Sequence, residues 1–237
     1  LTTVPDPEAN LKKEVEFMEM ASSNSAGLII FPEYSNFYAE SRVSADELYE
    51  IAERENPKFL SKLAEAARKL QMAVVVGIFE RGERRPEVYS AAYYIKSNGE
   101  IGARYRKSHL YVAFGSSEAK RLAASDDRPL IFDYMGFKFG VIMCYEIRFP
   151  ELARQVALLG ADALIIPSAW YAGYNKMEQW EVLVKARAME NTIYVLTSNQ
   201  IGNVYTGTTM ACDPAGIAVA MATEEEGLVY VDLSNER

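Results

Sequence analysis

A cysteine stands at the end of an apolar segment in the second half of the chain. Residues 137–143 read FKFGVIM and lead directly into Cys144. Alternation places Gly140, Ile142 and Cys144 on one face, and since both faces are largely apolar, we predict a strand that is covered on both sides. A thiol at the point where such a strand turns is placed to act as a nucleophile. The alternative is that Cys144 is a small buried hydrophobic residue.

A carboxylate and an ammonium group also follow predicted strands. Glu33 comes directly after the apolar segment 27–31 and Pro32, and open α/β sheets tend to carry functional groups at the carboxyl ends of their strands. In the segment 101–107, alternation puts Lys107 on the more apolar face, where an ammonium needs a carboxylate partner or must lose its proton. The alternatives are a solvated loop carboxylate for Glu33 and a Lys107 side chain that extends to water.

Three further polar residues have structural interpretations when each is taken alone. Glu118 belongs to a polar loop over residues 112–128, which is long enough to suggest a function, but Glu118 by itself reads as a surface residue. His109 reads as a packed, hydrogen-bonded histidine. Arg148 is placed to form an ion pair with Glu151 near the start of a helix.

The composition narrows the possible classes of function. The chain has 237 residues, of which 49% are hydrophobic and 24% are charged, as in ordinary globular proteins. Its net charge of -8 argues against nucleic acid or an anionic membrane as a partner. His109 is the single histidine, which argues against a His-rich zinc site and restricts Ser-His-Asp or Cys-His catalysis to that one residue. We therefore expect no metal.

The cysteine count and the termini bear on the compartment. Two cysteines, Cys144 and Cys212, do not make a disulfide framework, which favours a reducing cytoplasm. No apolar run has transmembrane length, and the N-terminus has no signal-peptide pattern. The sequence opens on Leu-Thr-Thr without an initiator Met, which leaves open that a short first strand is missing.

Helices alternate with both single strands and hairpins, which favours mixed sheets over a purely parallel one. No linker, low-complexity segment or charge block divides the chain, so we predict one domain over residues 1–237. The apolar stripe of the first helix, over residues 10–22, is predicted to consist of Leu11, Val15, Met18 and Ala21. The other predicted helices cover 45–54, 57–70, 150–159 and the segment that ends at 191, and the strands cover 27–31, 72–79, 88–95, 101–107, 130–134, 137–143, 163–166 and 193–198, with short strands to 233.

Capping residues and prolines predict where several elements begin and end. Ser44 and Glu47 are predicted to form a capping box for a helix that ends near Arg54. Asn56 and Pro57 are then predicted to be the N-cap and first residue of a separate helix. In the same way, Pro167 is predicted to end the strand 163–166.

Three motifs, taken together, resemble the catalytic signatures of the nitrilase superfamily of thiol carbon–nitrogen hydrolases. They are FPEY at residues 31–34, YRKSHL at 105–110 and CYEIRFPE at 144–151, in that order. The likeness extends through GADALIIP at 160–167, ARAMEN at 186–191 and DPAG at 213–216. It implies a four-layer α-β-β-α sandwich, with two mixed sheets and helices outside. It also implies a homodimer or larger assembly, with the helix after Cys144 near the interface.

The resemblance assigns chemical roles to particular residues. Cys144 corresponds to the nucleophile, Glu33 to the general base and Lys107 to the cation that stabilises the tetrahedral intermediate. Glu118 resembles the additional glutamate of the family, although Ala119 stands where the family often has Ser. These roles are chemically consistent, because Glu33 and Lys107 supply a base and a cation without using histidine. The backbone N–H of Tyr145 is a second candidate donor for the oxyanion.

The segment that begins at Cys144 resembles the amidase branch that includes omega-amidase and deaminated-glutathione amidase. The expected reaction is hydrolysis of a small carboxylate-bearing amide to acid and ammonia in the cytoplasm, without a cofactor. Arg148 is a candidate for binding the substrate carboxylate, and the candidates for the pocket wall are Trp170, Tyr171 and Tyr174, with packing as their alternative. The alternative activities are those of an N-carbamoyl amidohydrolase or a nitrilase, and the other classes considered are a non-catalytic binding homologue and a thiol-redox protein.

Overall fold

The computed structural model describes residues 1–113, 118–222, 225–234 and 236. The chain divides into two compact units, one of residues 3–127 and one of residues 1–2 together with 128–237. Each unit contains a mixed β-sheet with helices packed against it. In the described part of the chain, no helix is both long and apolar enough to cross a membrane. The prediction of two mixed sheets with helices is confirmed.

The first unit is a four-stranded sheet with two long helices. Its elements are α1 (Pro7–Ser23), β1 (Leu28–Ile30), α2 (Ala45–Leu70), β2 (Ala73–Arg81), β3 (Val88–Ile95) and β4 (Ile101–Arg106). The strands lie in the order β1-β2-β3-β4, and β1 is parallel to β2 while the later pairs are antiparallel. Helix α2 packs against β2 and β3, and α1 packs against α2. All of β2 up to Glu80 is buried, which explains its continuous apolar sequence.

The prediction of two helices on either side of Asn56 is wrong, because α2 runs through Pro57 without a break. The predicted capping box at Ser44 and Glu47 is present at its start. The Asn56 side chain does not act as a cap. Instead, its Nδ2 donates to the Phe79 carbonyl at 2.7 Å and its Oδ1 accepts from Asn36 Nδ2 at 2.8 Å. These buried bonds and the packing of α2 outweigh the one backbone hydrogen bond that Pro57 removes.

The buried face of α1 differs from the predicted one in its polar members. Leu11, Met18 and Ala21 are buried as predicted, Val15 is only partly buried, and Asn10 and Glu14 are buried as well. Glu14 has no exposed surface. Burial raises the pKa of the Glu14 carboxyl well above its ordinary value, and the nearby Ser35 hydroxyl opposes this rise only in part. A carboxyl group is therefore placed where helical periodicity favours an apolar residue.

The second unit is built on a six-stranded sheet. Its elements are β5 (Leu130–Tyr134), β6 (Phe137–Val141), α3 (Pro150–Leu158), β7 (Ala163–Ser168), α4 (Lys176–Asn191), β8 (Tyr194–Asn199), β9 (Ile201–Gly202), β10 (Tyr205–Thr206), β11 (Thr209–Cys212) and β12 (Ala218–Ala222). The strand order is β12-β11-β8-β7-β6-β5, and β9 and β10 form a separate hairpin. The central strands β6, β7 and β8 are parallel. Helices α3 and α4 pack against each other and against this sheet.

Pro167 does not end its strand as predicted, since β7 continues to Ser168. The pairing of β7 with β6 stops at Ile165, whereas the pairing with β8 continues, with Pro167 opposite Ser198. A proline can occupy this position because it lies beyond the end of the ladder to β6.

Replacing Glu14 by Gln tests the cost of burying a carboxyl in α1. A carboxyl whose pKa is raised by folding contributes stability that is complete below its unfolded pKa and is lost as the pH rises through the folded value. We therefore expect the free energy of unfolding of Glu14→Gln to rise relative to the natural chain as the pH increases from 5 to 8. The slope of this difference approaches about 1.4 kcal/mol per pH unit, the value for one proton.

Urea unfolding at a series of pH values measures this difference. Glu16→Gln is the matched control, because Glu16 is exposed on the same helix. A difference that is constant with pH, or equal in the two variants, contradicts the prediction.

Candidate active site

Lys107 lies between two carboxylates in the first unit. Its Nζ donates to Glu33 Oε1 at 2.9 Å and to Glu118 Oε2 at 3.0 Å. Lys107 and Glu33 have no exposed surface, and Glu118 is 9% exposed. A charged side chain in such an environment requires partners of opposite charge. Of the two interpretations of Lys107, the structure supports a buried ion pair and excludes a side chain extended to water.

The end of β4 determines where Lys107 points. The Lys107 N–H continues the ladder to β3 by donating to the Ser90 carbonyl at 2.8 Å. The neighbouring Arg106 faces away and binds Glu80 at 2.9 Å, as does Arg104 at 2.7 Å. The predicted alternation is therefore correct, with arginines on one face and Lys107 on the other.

Glu33 is fixed by the loop that follows β1. The Pro32 carbonyl accepts from the Gly77 N–H at 3.2 Å, and the Ser35 N–H donates to the Gly77 carbonyl at 2.7 Å. A Cβ on Gly77 would lie 2.6 Å from the Glu33 Cα and 2.7 Å from the Pro32 oxygen. Only a glycine in β2 therefore allows the backbone of Glu33 to approach this closely.

The Glu33 carboxylate has a second donor in addition to Lys107. Ser90 Oγ donates to Glu33 Oε1 at 2.7 Å. Burial raises the pKa of Glu33 above its ordinary value, and the charge of Glu118 adds to this rise, while Lys107 and Ser90 oppose it. One ammonium shared by two carboxylates does not fully compensate for burial. A carboxyl with a raised pKa keeps its proton to a higher pH than an ordinary glutamate does.

Glu118 is a buried member of this cluster rather than the surface residue that its sequence position suggests. Its Oε1 accepts from Tyr34 Oη at 2.9 Å and its Oε2 from the Tyr111 N–H at 2.7 Å. It begins a short 3₁₀ turn, Glu118–Lys120. Residues 114–117, which carry part of the motif around Glu118, lie outside the described residues. The ring of Tyr34 stacks on Phe79 with centroids 4.1 Å apart, which fixes the direction of its hydroxyl.

Cys144 begins a 3₁₀ turn in the second unit, Cys144–Arg148, directly before α3. Its φ is +45°, in the left-handed region that non-glycine residues rarely adopt. Strain of this kind is concentrated at functional sites, where surrounding structure maintains it. The side chain is 5% exposed and belongs to the core between the sheet and the helices. The strand-to-turn placement predicted for this thiol is confirmed.

Glu146 stabilises the backbone of that turn, a role that the sequence did not reveal. Its Oε2 accepts from the Met143 N–H at 2.7 Å, and its own N–H donates to the Met143 carbonyl at 2.9 Å. From α4, Arg187 Nε donates to the Ile147 carbonyl at 2.8 Å. The signal for Glu146 in the sequence was a carboxylate between the apolar residues Tyr145 and Ile147, directly after a buried strand.

The candidate substrate-binding residues of the second unit have different environments. Arg148 donates to Gln179 Oε1 at 2.7 Å, and its Cζ lies 5.1 Å from the Trp170 ring centroid and 5.9 Å from that of Tyr145. Trp170 is 3% exposed and packs in the core. Tyr171 pairs with Tyr205, with ring centroids 5.4 Å apart.

Three other side chains are less suited to chemistry. Tyr174 is 91% exposed, unlike the other two aromatic candidates. Cys212 is buried, and burial raises the pKa of its thiol to about 11, so it is a poor nucleophile. His109 makes a 2.9 Å hydrogen bond through Nδ1 with Ser108 Oγ, which agrees with a structural histidine.

The structure thus brings Glu33, Lys107 and Glu118 together in the first unit, and Cys144, Tyr145, Arg148 and Trp170 into one region of the second. Sequence reasoning missed the residues that orient these groups, namely Tyr34, Gly77, Ser90, Tyr111, Glu146 and Lys176. Their types are common in loops and strands, and only their contacts distinguish them.

The sequence matches the family model described as carbon-nitrogen hydrolase over residues 1–237. A deaminated glutathione amidase from Escherichia coli O157:H7 is 31% identical over 233 residues, which cover 97% of this chain and 86% of that protein. An omega-amidase from Saccharomyces cerevisiae is 31% identical over 254 residues, which cover 98% of this chain and 84% of that protein. These matches confirm the resemblance stated above.

Solved structures of an amidase from Nesterenkonia sp. AN1, a member of the nitrilase superfamily, have the same fold. The complex of a double mutant with acrylamide matches with a TM-score of 0.87 and 25% identity, covering 99% of this chain and 88% of that one. A second structure of that amidase, a single mutant, matches with a TM-score of 0.83 and 26% identity, covering 98% of this chain and 86% of that one. In that structure the acetamide moiety of fluoroacetamide is added covalently at the active-site cysteine. The predicted α/β class is confirmed.

Replacing Gly77 by Ala tests the close approach of β2 to Glu33. The added methyl group must push back the Glu33 backbone, and we expect the free energy of unfolding to fall by about 1–3 kcal/mol. Urea unfolding measures the loss. Gly227→Ala is the control, since a Cβ there meets nothing within 4 Å. Equal stabilities of the two variants would show that the loop at Glu33 adapts without cost.

Proposed function

Because the chain belongs to the carbon-nitrogen hydrolase family, we propose that it is an amidase that uses Cys144 as its nucleophile. The proposed reaction converts a small carboxylate-bearing amide to the acid and ammonia through a thioester. The observation that carries the proposal is the fully buried pair of Lys107 and Glu33, 2.9 Å apart. A buried ion pair contributes little to stability compared with apolar packing, so its presence is best explained by chemistry.

In the first half of the proposed reaction, Glu33 accepts the thiol proton of Cys144 and the sulfur attacks the amide carbon. A bond forms between sulfur and carbon, and the carbonyl π electrons move to the oxygen. Lys107 Nζ and the backbone N–H of Tyr145 stabilise this oxyanion, and each such donor is typically worth a few kcal/mol. When the carbon–nitrogen bond breaks, Glu33 returns the proton to the leaving nitrogen, and ammonia departs from a thioester.

In the second half, Glu33 removes a proton from water, which attacks the thioester carbon. The second tetrahedral intermediate collapses with loss of the Cys144 thiolate, which regains a proton as the acid leaves. The raised pKa of Glu33 suits both halves, because the carboxyl must accept a proton and then donate it.

Glu118 supports this chemistry as the second carboxylate on Lys107. It keeps the ammonium directed by two charge-assisted hydrogen bonds. Its negative charge also raises the pKa of Glu33. On the substrate side, we propose that Arg148 binds the carboxylate and that Tyr145, Trp170 and Tyr171 contribute to the pocket wall.

We further propose that both units act as one hydrolase domain in a homodimer or larger assembly in the cytoplasm. The match of one family model to residues 1–237 supports the single domain. Exposed apolar side chains on α3 and α4, namely Leu158, Val182 and Met189, support assembly.

Intact-protein mass spectrometry after incubation with an amide and nitrile library tests the nucleophile. We expect the natural chain to gain the mass of an acyl group at Cys144. In Cys144→Ala the adduct is absent and ammonia release falls by more than about 1,000-fold, because no other group replaces the thiolate.

Cys212→Ala is the matched control and keeps both the adduct and the activity. Equal hydrolysis of an amide panel by the natural chain and Cys144→Ala would overturn the proposal. Carbon dioxide released together with ammonia would indicate an N-carbamoyl substrate instead of an amide.

The pH dependence of kcat/KM tests the role of Glu33. A general base acts in its ionised form, so activity falls as the pH decreases through the raised pKa of Glu33. We expect Glu33→Gln to lower kcat/KM by at least about 100-fold and to remove this acidic limb. Ammonia release between pH 5 and 9 measures both effects.

Glu16→Gln, on the surface of α1, should retain the profile of the natural chain. An acidic limb that persists unchanged in Glu33→Gln assigns the limb to another group and contradicts the proposed role.

A further inference from the structure

Lys176, the first residue of α4, is a second cationic residue next to the Trp170 ring, in addition to Arg148. Lys176 is only 9% exposed, and its Nζ lies 4.7 Å from the centroid of the Trp170 ring. The Trp170 Nε1–H donates to the backbone carbonyl of Lys176 at 2.9 Å. The indole therefore contacts both the backbone and the ammonium of one residue, which orients the ammonium on the ring by a cation–π interaction.

Arg148 contacts the same indole. Its Cζ lies 5.1 Å from the ring centroid, so the two cationic groups are at most about 10 Å apart. Gln179 holds the guanidinium through a 2.7 Å hydrogen bond to one nitrogen. Burial lowers the pKa of Lys176, and the charge of Arg148 lowers it further. Because like charges repel in a partly buried site, an anion bound next to both cations is stabilised.

Cys144 belongs to the same buried cluster as Trp170, whose ring Lys176 and Arg148 contact. A negative charge on Cys144 opposes the effects of burial and of Arg148 on the pKa of Lys176. The N-terminus of α4, which begins at Lys176, adds a partial positive charge to that of the two cations.

From this arrangement we infer that Lys176 acts with Arg148 as a pair of cations that selects amides carrying a free carboxylate. Lys176 is thus a specificity-determining residue, and it was absent from the candidates identified in the sequence. The inference rests on the proposed role of Cys144 as the reacting thiol. Arg148 supplies a directional guanidinium, and Lys176 supplies a compact charge on the indole.

Alkylation with iodoacetate and iodoacetamide tests the charge selection without requiring amide turnover. The two reagents attack the same thiolate and differ in charge at the group that stands for the substrate carboxylate. In a Cys212→Ala background, the ratio of the iodoacetate rate to the iodoacetamide rate at Cys144 reports the attraction for an anion. We expect Lys176→Met to lower this ratio about 10-fold and Lys176→Arg to keep it within about 2-fold, as loss or retention of one nearby charge requires.

Lys185→Met is the matched control, because Lys185 is on the same helix and pairs with Glu181 at 3.4 Å. It makes the same change in net charge and should leave the ratio unchanged. A second readout is the preference in kcat/KM for a carboxylate-bearing amide over its neutral methyl ester, which should fall about 10-fold in Lys176→Met alone.

An unchanged ratio in Lys176→Met, or an equal fall in Lys185→Met, overturns the inference. Equal slowing of both reagents also overturns it, since Lys176 would then act on the thiol and not on the anion. If no amide is hydrolysed but the ratio falls as expected, the proposed function fails while the anion selection at Cys144 stands.

Discussion

The two buried carboxylates of the first unit are held next to each other by one ammonium group. Without Lys107, Glu33 and Glu118 would face each other in a region of low polarity, where repulsion between like charges is strong. The cluster still carries one excess negative charge, and it is stabilised by donors from three different places: the Ser90 hydroxyl, the Tyr34 hydroxyl and the Tyr111 N–H. The ends of β1 and β4 and the 3₁₀ turn that begins at Glu118 must therefore meet at one point for this unit to fold.

This requirement explains why groups that do not react are nevertheless constrained. Gly77 lacks a Cβ because the backbone at Glu33 occupies that space. Burial, which Lys107 and Ser90 offset only in part, leaves Glu33 with a raised pKa, so the stability that this carboxyl contributes is lost as the pH rises through that pKa. Apolar burial along β2 and β3 supplies the stability that such a cluster removes.

Carboxylates have a different role in the second unit, where Glu146 closes the turn at Cys144 by binding the backbone. The strained φ at Cys144 is compatible with a stable chain because the turn is bonded both to itself and to Arg187 of α4. The cations Arg148 and Lys176 then add positive charge around one indole. The buried cluster of the first unit thus has two carboxylates and one ammonium, whereas the Trp170 ring in the second unit is contacted by two cationic side chains.

The sequence by itself determined most elements, since the strands Val88–Ile95 and Leu130–Tyr134 have the predicted bounds and α3 begins at Pro150 as expected. Periodicity depends on neighbours along the chain, so it also placed Lys107 on the more apolar face of its strand, while leaving open whether the side chain is buried or extends to water. Three predictions were wrong: Pro57 lies inside α2, Glu14 is buried in α1 where Val15 was predicted, and Pro167 lies inside β7. For Pro57, the buried bonds of Asn56 to distant residues outweigh the local preference. For Pro167, the register with β6 and β8, which the sequence does not reveal, decides whether a proline is tolerated. The partners of Lys107, 74 and 11 residues away, and the approach of Lys176 to Trp170 were decided only by the tertiary structure, because a side chain's pairing depends on which elements pack around it.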